Sequence, residues 1–106
     1  MIHATYYKAF HRLILKGHAN SGEAGHDLVC ASASMLAYTL AANVEALTDE
    51  NYVKEPYIRL SEGDAIIGCK ALTKHKATVQ LIFSAICAGF LVLATDYPEY
   101  ITYEVK

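Results

Sequence analysis

The sequence has no tryptophan, only two prolines and three cysteines, and no two of the cysteines form a C-x-x-C pair. An odd number of widely separated cysteines (Cys30, Cys69 and Cys87) is not a disulfide framework. It is typical of reduced thiols in a cytoplasmic protein, so we expect a cytoplasmic location.

Charge of either sign is scarce, since 19% of the residues are charged and the net charge is −2. Such a balance leaves no basic footprint for nucleic acid, and we expect no nucleic-acid partner. The first seven residues alternate instead of forming a charged head and an apolar run, so they do not resemble a signal peptide. With 106 residues, 54% of them hydrophobic, the chain is predicted to form one globular domain over residues 1–106.

One apolar run resembles a membrane span. It covers residues 79–94 and is interrupted by Gln80, Ser84 and Gly89. A bilayer requires roughly 20 residues, so we interpret the run as a core helix and expect no membrane partner. A helix that is apolar on all sides needs cover on more than one side, which predicts a homodimer.

Hydrophobic periodicity predicts an α+β fold with the order ββαββαβ, in which two main helices pack on a small antiparallel or mixed sheet. The pattern indicates strands near 2–6 and 13–15, a helix from Asp27 to about 47, strands over 57–60 and 65–69, a helix over about 73–95 and a strand over 100–105. The connection over 61–64 (Ser-Glu-Gly-Asp) is predicted to be a hairpin turn.

Chemically active residues are concentrated in residues 17–30, which hold two histidines, two carboxylates and one cysteine. We expect Cys30 in the first turn of the first helix, where unpaired amides and the helix dipole favour a thiolate and could hold an oxyanion. A nearby imidazole would complete a nucleophile and its base. The alternative is that Cys30 is a small buried hydrophobic residue.

The motif GHA, followed by a glycine-containing spacer and GHDLVCASAS, resembles the ribosomal-processing cysteine protease (Prp) family. The residues that carry the resemblance are Gly17, His18, Ala19, Gly25, His26, Asp27, Val29, Cys30, Ala31 and Ser34.

The resemblance implies a cysteine endopeptidase that removes a short N-terminal extension from a large-subunit ribosomal protein, cutting after a phenylalanine pair. Its partner would be that peptide segment, or a similar segment of a phage capsid or scaffold protein. Cys30 would attack the carbonyl and His18 would take and return the proton, with no metal or cofactor. Movement at Gly22 and Gly25 would close the loop over the substrate.

Three further residues have possible supporting roles. Asp27 is expected to cap the helix or lie in its first turn, or else to orient His18. His26 could contact substrate, cap the helix or replace His18 as base. Ser34, one turn after Cys30, could donate a hydrogen bond near the site or to its own helix.

Two other functions remain open from the sequence. His18, His26 and Cys30 are acceptable zinc ligands, although no fourth ligand follows at short spacing. A non-catalytic dimer that binds a peptide during ribosome assembly would need no accessible thiol.

Aromatic residues and the remaining histidines are interpreted as structural. His3, His11 and His75 are predicted at the surface or at strand edges. Most of the eight tyrosines are expected to pack on the sheet, and some of them would line a pocket for aromatic side chains of a substrate.

Overall fold

The computed structural model describes residues 1–18 and 24–106, and over 24–27 it describes the backbone alone. The elements are β1 (Ile2–Tyr7), β2 (Arg12–Lys16), α1 (Ala24–Asp49), β3 (Val53–Ser61), β4 (Asp64–Ala71), α2 (Lys76–Asp96) and β5 (Ile101–Val105), with short 3-10 turns over Lys8–Phe10 and Thr73–His75. The predicted order ββαββαβ is confirmed.

The five strands form one mixed sheet in the order β3-β4-β2-β1-β5. The pairs β1–β2, β2–β4 and β3–β4 are antiparallel, whereas β1 and β5 are parallel. A parallel pair needs a crossover connection, and the chain reaches β5 through α2. β3 and β5 are therefore the two edge strands.

Both helices cover the same face of the sheet. The alternate residues Ile2, Ala4 and Tyr6 of β1 are buried, and so are Leu13 and Leu15 opposite them on β2. Their neighbours along each strand point to the other, more exposed face. The fold therefore has two layers, with the helices on one side of the sheet.

The core forms where apolar stripes of the helices meet this face. The buried positions of α1 are Val29, Ala33, Ala37, Leu40, Ala41, Val44 and Leu47, and those of α2 are Val79, Phe83, Cys87, Phe90 and Leu93. These positions recur at three- and four-residue steps, as in a helix that buries one side. Leu36, three residues after Ala33, is only partly buried.

The outer sides of the helices retain much apolar surface. In α2, Leu81 is 70% exposed and Val92 is 58% exposed. Two segments, residues 28–49 and 73–96, are long and apolar enough to cross a membrane, with mean hydropathies of 1.3 and 2.2. Core helices of globular domains satisfy the same criterion, and the buried stripe of each segment packs on the sheet. Within the residues that the structure describes, the outer sides of both helices remain largely uncovered.

The prediction for His11 is wrong. This residue, which follows the 3-10 turn between β1 and β2, has left-handed backbone angles (φ 49°) and is 5% exposed. Its ring contacts Phe83 edge-on, with 5.8 Å between centroids. Its Nε2 has no hydrogen-bond partner within the part of the chain described. The turn directs the ring toward the face of the sheet that the helices cover, where it meets Phe83. A pattern of alternating residues does not predict this orientation.

Candidate active site

A cleft of about 380 Å³ lies between α1 and the end of the sheet at which β2 ends and β4 begins. Ile2 and Leu15 form part of its apolar floor, and the β3–β4 turn forms one wall. His18 and Cys30 both line this cleft. The fold therefore brings together two residues that the motif selected, one from a loop and one from a helix.

Cys30 lies on α1 with its side chain half-buried against the core. It is the seventh residue of the helix counted from Ala24, so the expectation that it lies in the first turn is wrong. An amide at that depth is already paired with a carbonyl four residues earlier. It is therefore not free to hold an oxyanion.

Small residues surround the thiol. Ala33, Ser34 and Ala37 of α1 line the cleft beside Cys30. Ser34 is exposed and lies one turn after Cys30, as the sequence predicts. Because none of these side chains is bulky, the main chain of a peptide has room to approach the sulfur.

His18 follows β2 and is exposed. The amide of Gly17 donates to the carbonyl of Gly63 at 3.0 Å, and the Met1 nitrogen donates to the carbonyl of His18 at 2.8 Å. Gly17 has a φ of 105°, and a Cβ there would overlap the Met1 carbonyl oxygen. This backbone path requires glycine and fixes the direction from which the imidazole enters the cleft.

The β3–β4 turn lies directly against the imidazole. Gly63 has a φ of 75°, and a Cβ at this position would overlap Cε1 and Nε2 of His18 and lie 3.0 Å from Nδ1. The sequence predicts the turn but not its place in the site. That place follows from the pairing of β4 with β2, because Asp64 lies opposite Lys16 at the end of β2.

Two ion pairs hold the turn. The Asp64 carboxylate accepts hydrogen bonds from Lys16 at 3.0 Å and from Arg59 at 2.7 Å. The hydrogen bond from Lys16 and the charge of Arg59 together hold the pKa of Asp64 below its usual value of 3.8. The Asp64 carboxylate is therefore ionised at neutral pH, and its negative charge is paired with the positive charges of Lys16 and Arg59.

The other predicted site residues lie partly or wholly outside the described residues. Gly22 lies outside them altogether. The backbone of Gly25, His26 and Asp27 belongs to α1, and the side chains of His26 and Asp27 lie outside the part that the structure describes. Because α1 begins at Ala24, Asp27 lies in its first turn. Of the two helix positions expected for this residue, the first-turn position is therefore observed and the N-cap position is wrong.

The remaining two cysteines lie in the core and outside the cleft. Burial raises the pKa of Cys69 to about 11 and that of Cys87 to about 12. Both thiols are thus protonated at neutral pH and shielded from solvent. Cys30 is the cysteine that lines the cleft.

The zinc hypothesis receives no support from the described residues, among which no three histidine, cysteine or acidic side chains form a metal-binding group. His26, the proposed third ligand, lies outside the residues whose side chains are described. The hypothesis stays a prediction from the sequence.

Known proteins resemble the whole chain. The family model of the cysteine protease Prp matches residues 1–102. A ribosomal processing cysteine protease Prp of Staphylococcus aureus is 28% identical over 94 residues, which make up 89% of this chain and 85% of that protein.

Two solved structures are similar over almost their full length. The crystal structure of SMU.848 from Streptococcus mutans has 32% identity and a TM-score of 0.72, covering 99% of this chain and 93% of that one. The S. aureus Prp in complex with a covalently linked product peptide has 26% identity and a TM-score of 0.73, with 100% of both chains covered.

Proposed function

The chain belongs to the Prp family of cysteine proteases, and from this premise we propose that it removes a short N-terminal extension from a large-subunit ribosomal protein, with Cys30 as nucleophile and His18 as general base and acid. The observation that carries the assignment of residues is that His18 and Cys30 line one cleft. The resemblance inferred from the motif is confirmed, and the chain is a cysteine protease.

The proposed reaction has two halves. His18 takes the proton of Cys30, and the sulfur attacks the scissile carbonyl to form a tetrahedral oxyanion. The oxyanion collapses as His18 gives the proton to the leaving amine, which leaves a thioester on Cys30. Water, deprotonated by His18, then attacks the thioester and releases the new carboxyl terminus. The thiol regains its proton, and the step uses no metal or cofactor.

The shape of the cleft supports a peptide substrate. Ala33, Ser34 and Ala37 leave room for an extended main chain beside the sulfur. The S. aureus Prp has been solved in complex with a substrate peptide, at 25% identity and a TM-score of 0.69 to this chain. By analogy, we propose that this chain also binds a peptide, and that it cuts after an aromatic pair in a partly apolar segment.

The test compares the parent protein with Cys30→Ala and His18→Ala on a peptide that contains the aromatic pair. We expect cleavage by the parent, none by Cys30→Ala and at most about a thousandth of the parent rate with His18→Ala. Mass spectrometry of the products gives the position of the cut. His3→Ala is the matched control, because His3 is an exposed histidine on β1, outside the cleft.

Two results would contradict the proposal. If Cys30→Ala cleaves as fast as the parent, the nucleophile is wrong. If the parent binds the peptide but never cuts it, the protein acts as a peptide-binding module. Melting temperatures of all variants, which should stay close to that of the parent, exclude unfolding as the cause of a lost activity.

We also propose that the protein acts as a cytoplasmic homodimer. A shallow apolar groove between the helices, lined by Met35 and Leu36 of α1 and Gly89 and Val92 of α2, supports the association of two copies. Three free cysteines in the described residues support a reducing compartment. Light scattering at micromolar concentration should give twice the monomer mass, and Val92→Glu should halve it.

A further inference from the structure

The sheet face turned away from the helices, called the open face below, carries an excess of basic side chains. Its positions alternate with the buried ones along each strand and lie side by side in the cross-strand register. Three acidic side chains of the described residues lie on it: Glu55, Asp64 and Glu104. Six basic side chains lie on it: Arg12, Lys16, Lys54, Arg59, Lys70 and Lys106.

The net charge of the chain conceals this excess. That charge is −2, but α1, on the other side of the sheet, has three acidic residues and no lysine or arginine over Ala24–Asp49. Six basic side chains against three acidic ones leave the open face with a positive balance. The expectation of no nucleic-acid partner follows from the charge of the whole chain, and the potential of one face differs from that average.

The positive charges of the open face are only partly compensated. Each of its three acidic side chains is already in an ion pair with a basic neighbour. Arg12 and Lys54 belong to none of the ion pairs found among the described residues. Lys54 also lies directly opposite Lys70 in the register of β3 with β4. Like charges at opposed positions destabilise a strand pair, and a bound anion would relieve that repulsion.

Two tyrosines and an arginine form a row across the same face. Tyr7 lies opposite Arg12, Arg12 opposite Gly68, and Gly68 opposite Tyr57, so the row crosses β1, β2, β4 and β3. A Cβ at Gly68 would lie 3.4 Å from Cγ and 3.5 Å from Nε of Arg12. The arginine side chain therefore lies over the backbone of β4 and extends toward Tyr57, which is 53% exposed.

This row has the chemistry that recognises single-stranded RNA. Aromatic rings and guanidinium planes stack on unpaired bases, while neighbouring basic groups contact the phosphates. Three strand spacings separate Tyr7 from Tyr57 by about 14 Å, so each ring has room for a base of its own. An acidic polypeptide would complement the charges but has no planar bases to stack on the row.

We propose that the open face binds single-stranded RNA, with bases stacked on Tyr7 and Tyr57 and with phosphates held by Arg12 and Lys54. The cleft lies on the helix-covered side of the sheet, so RNA and a peptide can be bound together. A protease of a large-subunit ribosomal protein would thereby hold RNA next to its substrate. That consequence rests on the proposed function, whereas the binding of RNA does not.

The test measures binding of a fluorescently labelled single-stranded RNA of about 12 nucleotides, a length within the site sizes of single-strand-binding domains. Fluorescence anisotropy gives the Kd over a series of KCl concentrations. Every protein in the series also carries Cys30→Ala, so a failure of the proposed function has no influence on the result.

Stacking is tested at Tyr57. Tyr57→Ala should weaken binding by at least about fivefold, as expected for the loss of one stacked base, and should leave the salt dependence unchanged. Tyr57→Phe keeps the ring and should bind as the unsubstituted protein does. Tyr38→Ala is the matched control, since Tyr38 is a tyrosine of similar exposure (55%) on α1, and it should leave the Kd unchanged.

Phosphate contact is tested at Arg12 and Lys54. Arg12→Gln and Lys54→Gln should each weaken binding and reduce the slope of log K against log salt by about 0.7, the value for one phosphate contact with a single strand. Lys74→Gln should change neither quantity, because Lys74 is an exposed lysine in the 3-10 turn before α2 and lies outside the sheet.

Three results would overturn the proposal. The first is no change of anisotropy at low salt with protein up to about 100 µM, the weak end of non-specific binding. The second is full affinity in Tyr57→Ala. The third is equally tight binding of polyglutamate of the same charge, which would assign the open face to an acidic protein instead. Melting temperatures close to that of the parent exclude unfolding of the variants.

Discussion

The imidazole of His18 lies against the α-carbon side of Gly63 so closely that no side chain fits between them. The two residues are 45 positions apart in the sequence. They meet because β4 pairs with β2, which brings the β3–β4 turn to the end of β2. Gly63 therefore acts as a wall for the ring of the proposed base.

Substitution of Gly63 tests this contact. Gly63→Ala should lower kcat/KM by at least about tenfold, because the new methyl group occupies the position of the ring. The left-handed backbone adds a stability cost of about 1 kcal/mol. Peptide cleavage and urea unfolding, measured on the same preparation, check both effects.

Gly63→Asn separates the two causes. Asparagine tolerates left-handed angles better than alanine, so part of the lost stability should return. Its Cβ still displaces the ring, so activity should stay low. If activity recovers together with stability, the contact with His18 does not matter and backbone strain explains the loss.

Much of the fold was predictable because the signals are local. Alternation in β1 and the buried stripe of α1 depend on neighbours within a few residues, and both are observed. The strand order is not local. Nothing near Gly63 in the sequence indicates that its turn lies beside His18.

Asp64 is predicted to position the same turn. Asp64→Asn removes the charge that holds Lys16 and Arg59, so the turn should loosen and kcat/KM should fall several-fold. Because the pKa of Asp64 lies below 3.8 when folded, the ion pairs are complete above that pH and are lost only as the pH falls further. The parent should therefore keep this contribution throughout the range from about pH 5 to pH 8.

A second exposed ion pair on the same hairpin is the control. Glu55 lies 3.2 Å from Lys70, outside the cleft. Glu55→Gln should leave kcat/KM unchanged, since exposed pairs contribute little. Equal losses in both variants would show that general destabilisation of the hairpin, and not the position of the turn, is responsible.

The three thiols should differ sharply in reactivity. With pKa values of about 11 and about 12, Cys69 and Cys87 are almost wholly protonated at pH 8, and both are buried. Iodoacetamide reacts with the thiolate. We expect a single modified residue, Cys30, in the native protein and three after unfolding in guanidinium chloride, as counted by mass spectrometry.

Cys30→Ser provides the check on that assignment, since its native form should take up no label. Rapid labelling of Cys69 or Cys87 in the folded protein would contradict their burial. The sequence distinguished Cys30 from the other two through its motif, and the structure adds the physical reason: Cys30 alone of the three lines the cleft.

The identity of several site residues could be predicted from the sequence, but their positions in the structure could be predicted only in part. The motif selected His18, Cys30 and Ser34, which all line the cleft. The sequence pattern predicts a start of α1 that is three residues too late, because Asp27 is a good capping residue and the preceding segment is rich in glycine. Tyr38 and Leu60 also line the cleft. The sequence indicated Tyr38 only as one of eight tyrosines, and it gave no reason to select Leu60, because apolar residues on strands are common.

Stability should depend on pH through His11. Burial, and next the positive charge of Lys76, lower the pKa of His11 below its usual value of 6.5. The unfolded chain therefore binds a proton more readily than the folded one, and protonation favours unfolding. The free energy of unfolding therefore has its full value, as far as His11 determines it, above about pH 6.5. It decreases as the pH falls from there toward the lower pKa of His11 in the folded state.

The variant His11→Asn isolates this effect. Asparagine does not titrate, and it accepts the left-handed angles at this position (φ 49°). Urea unfolding at pH 7.5 and pH 5.5 should show that the parent loses stability on acidification and that His11→Asn loses less. His3→Asn, at an exposed histidine, should behave as the parent does. If His11→Asn loses as much stability as the parent on acidification, another group controls the pH dependence, and the buried ring of His11 is tolerated in its charged form.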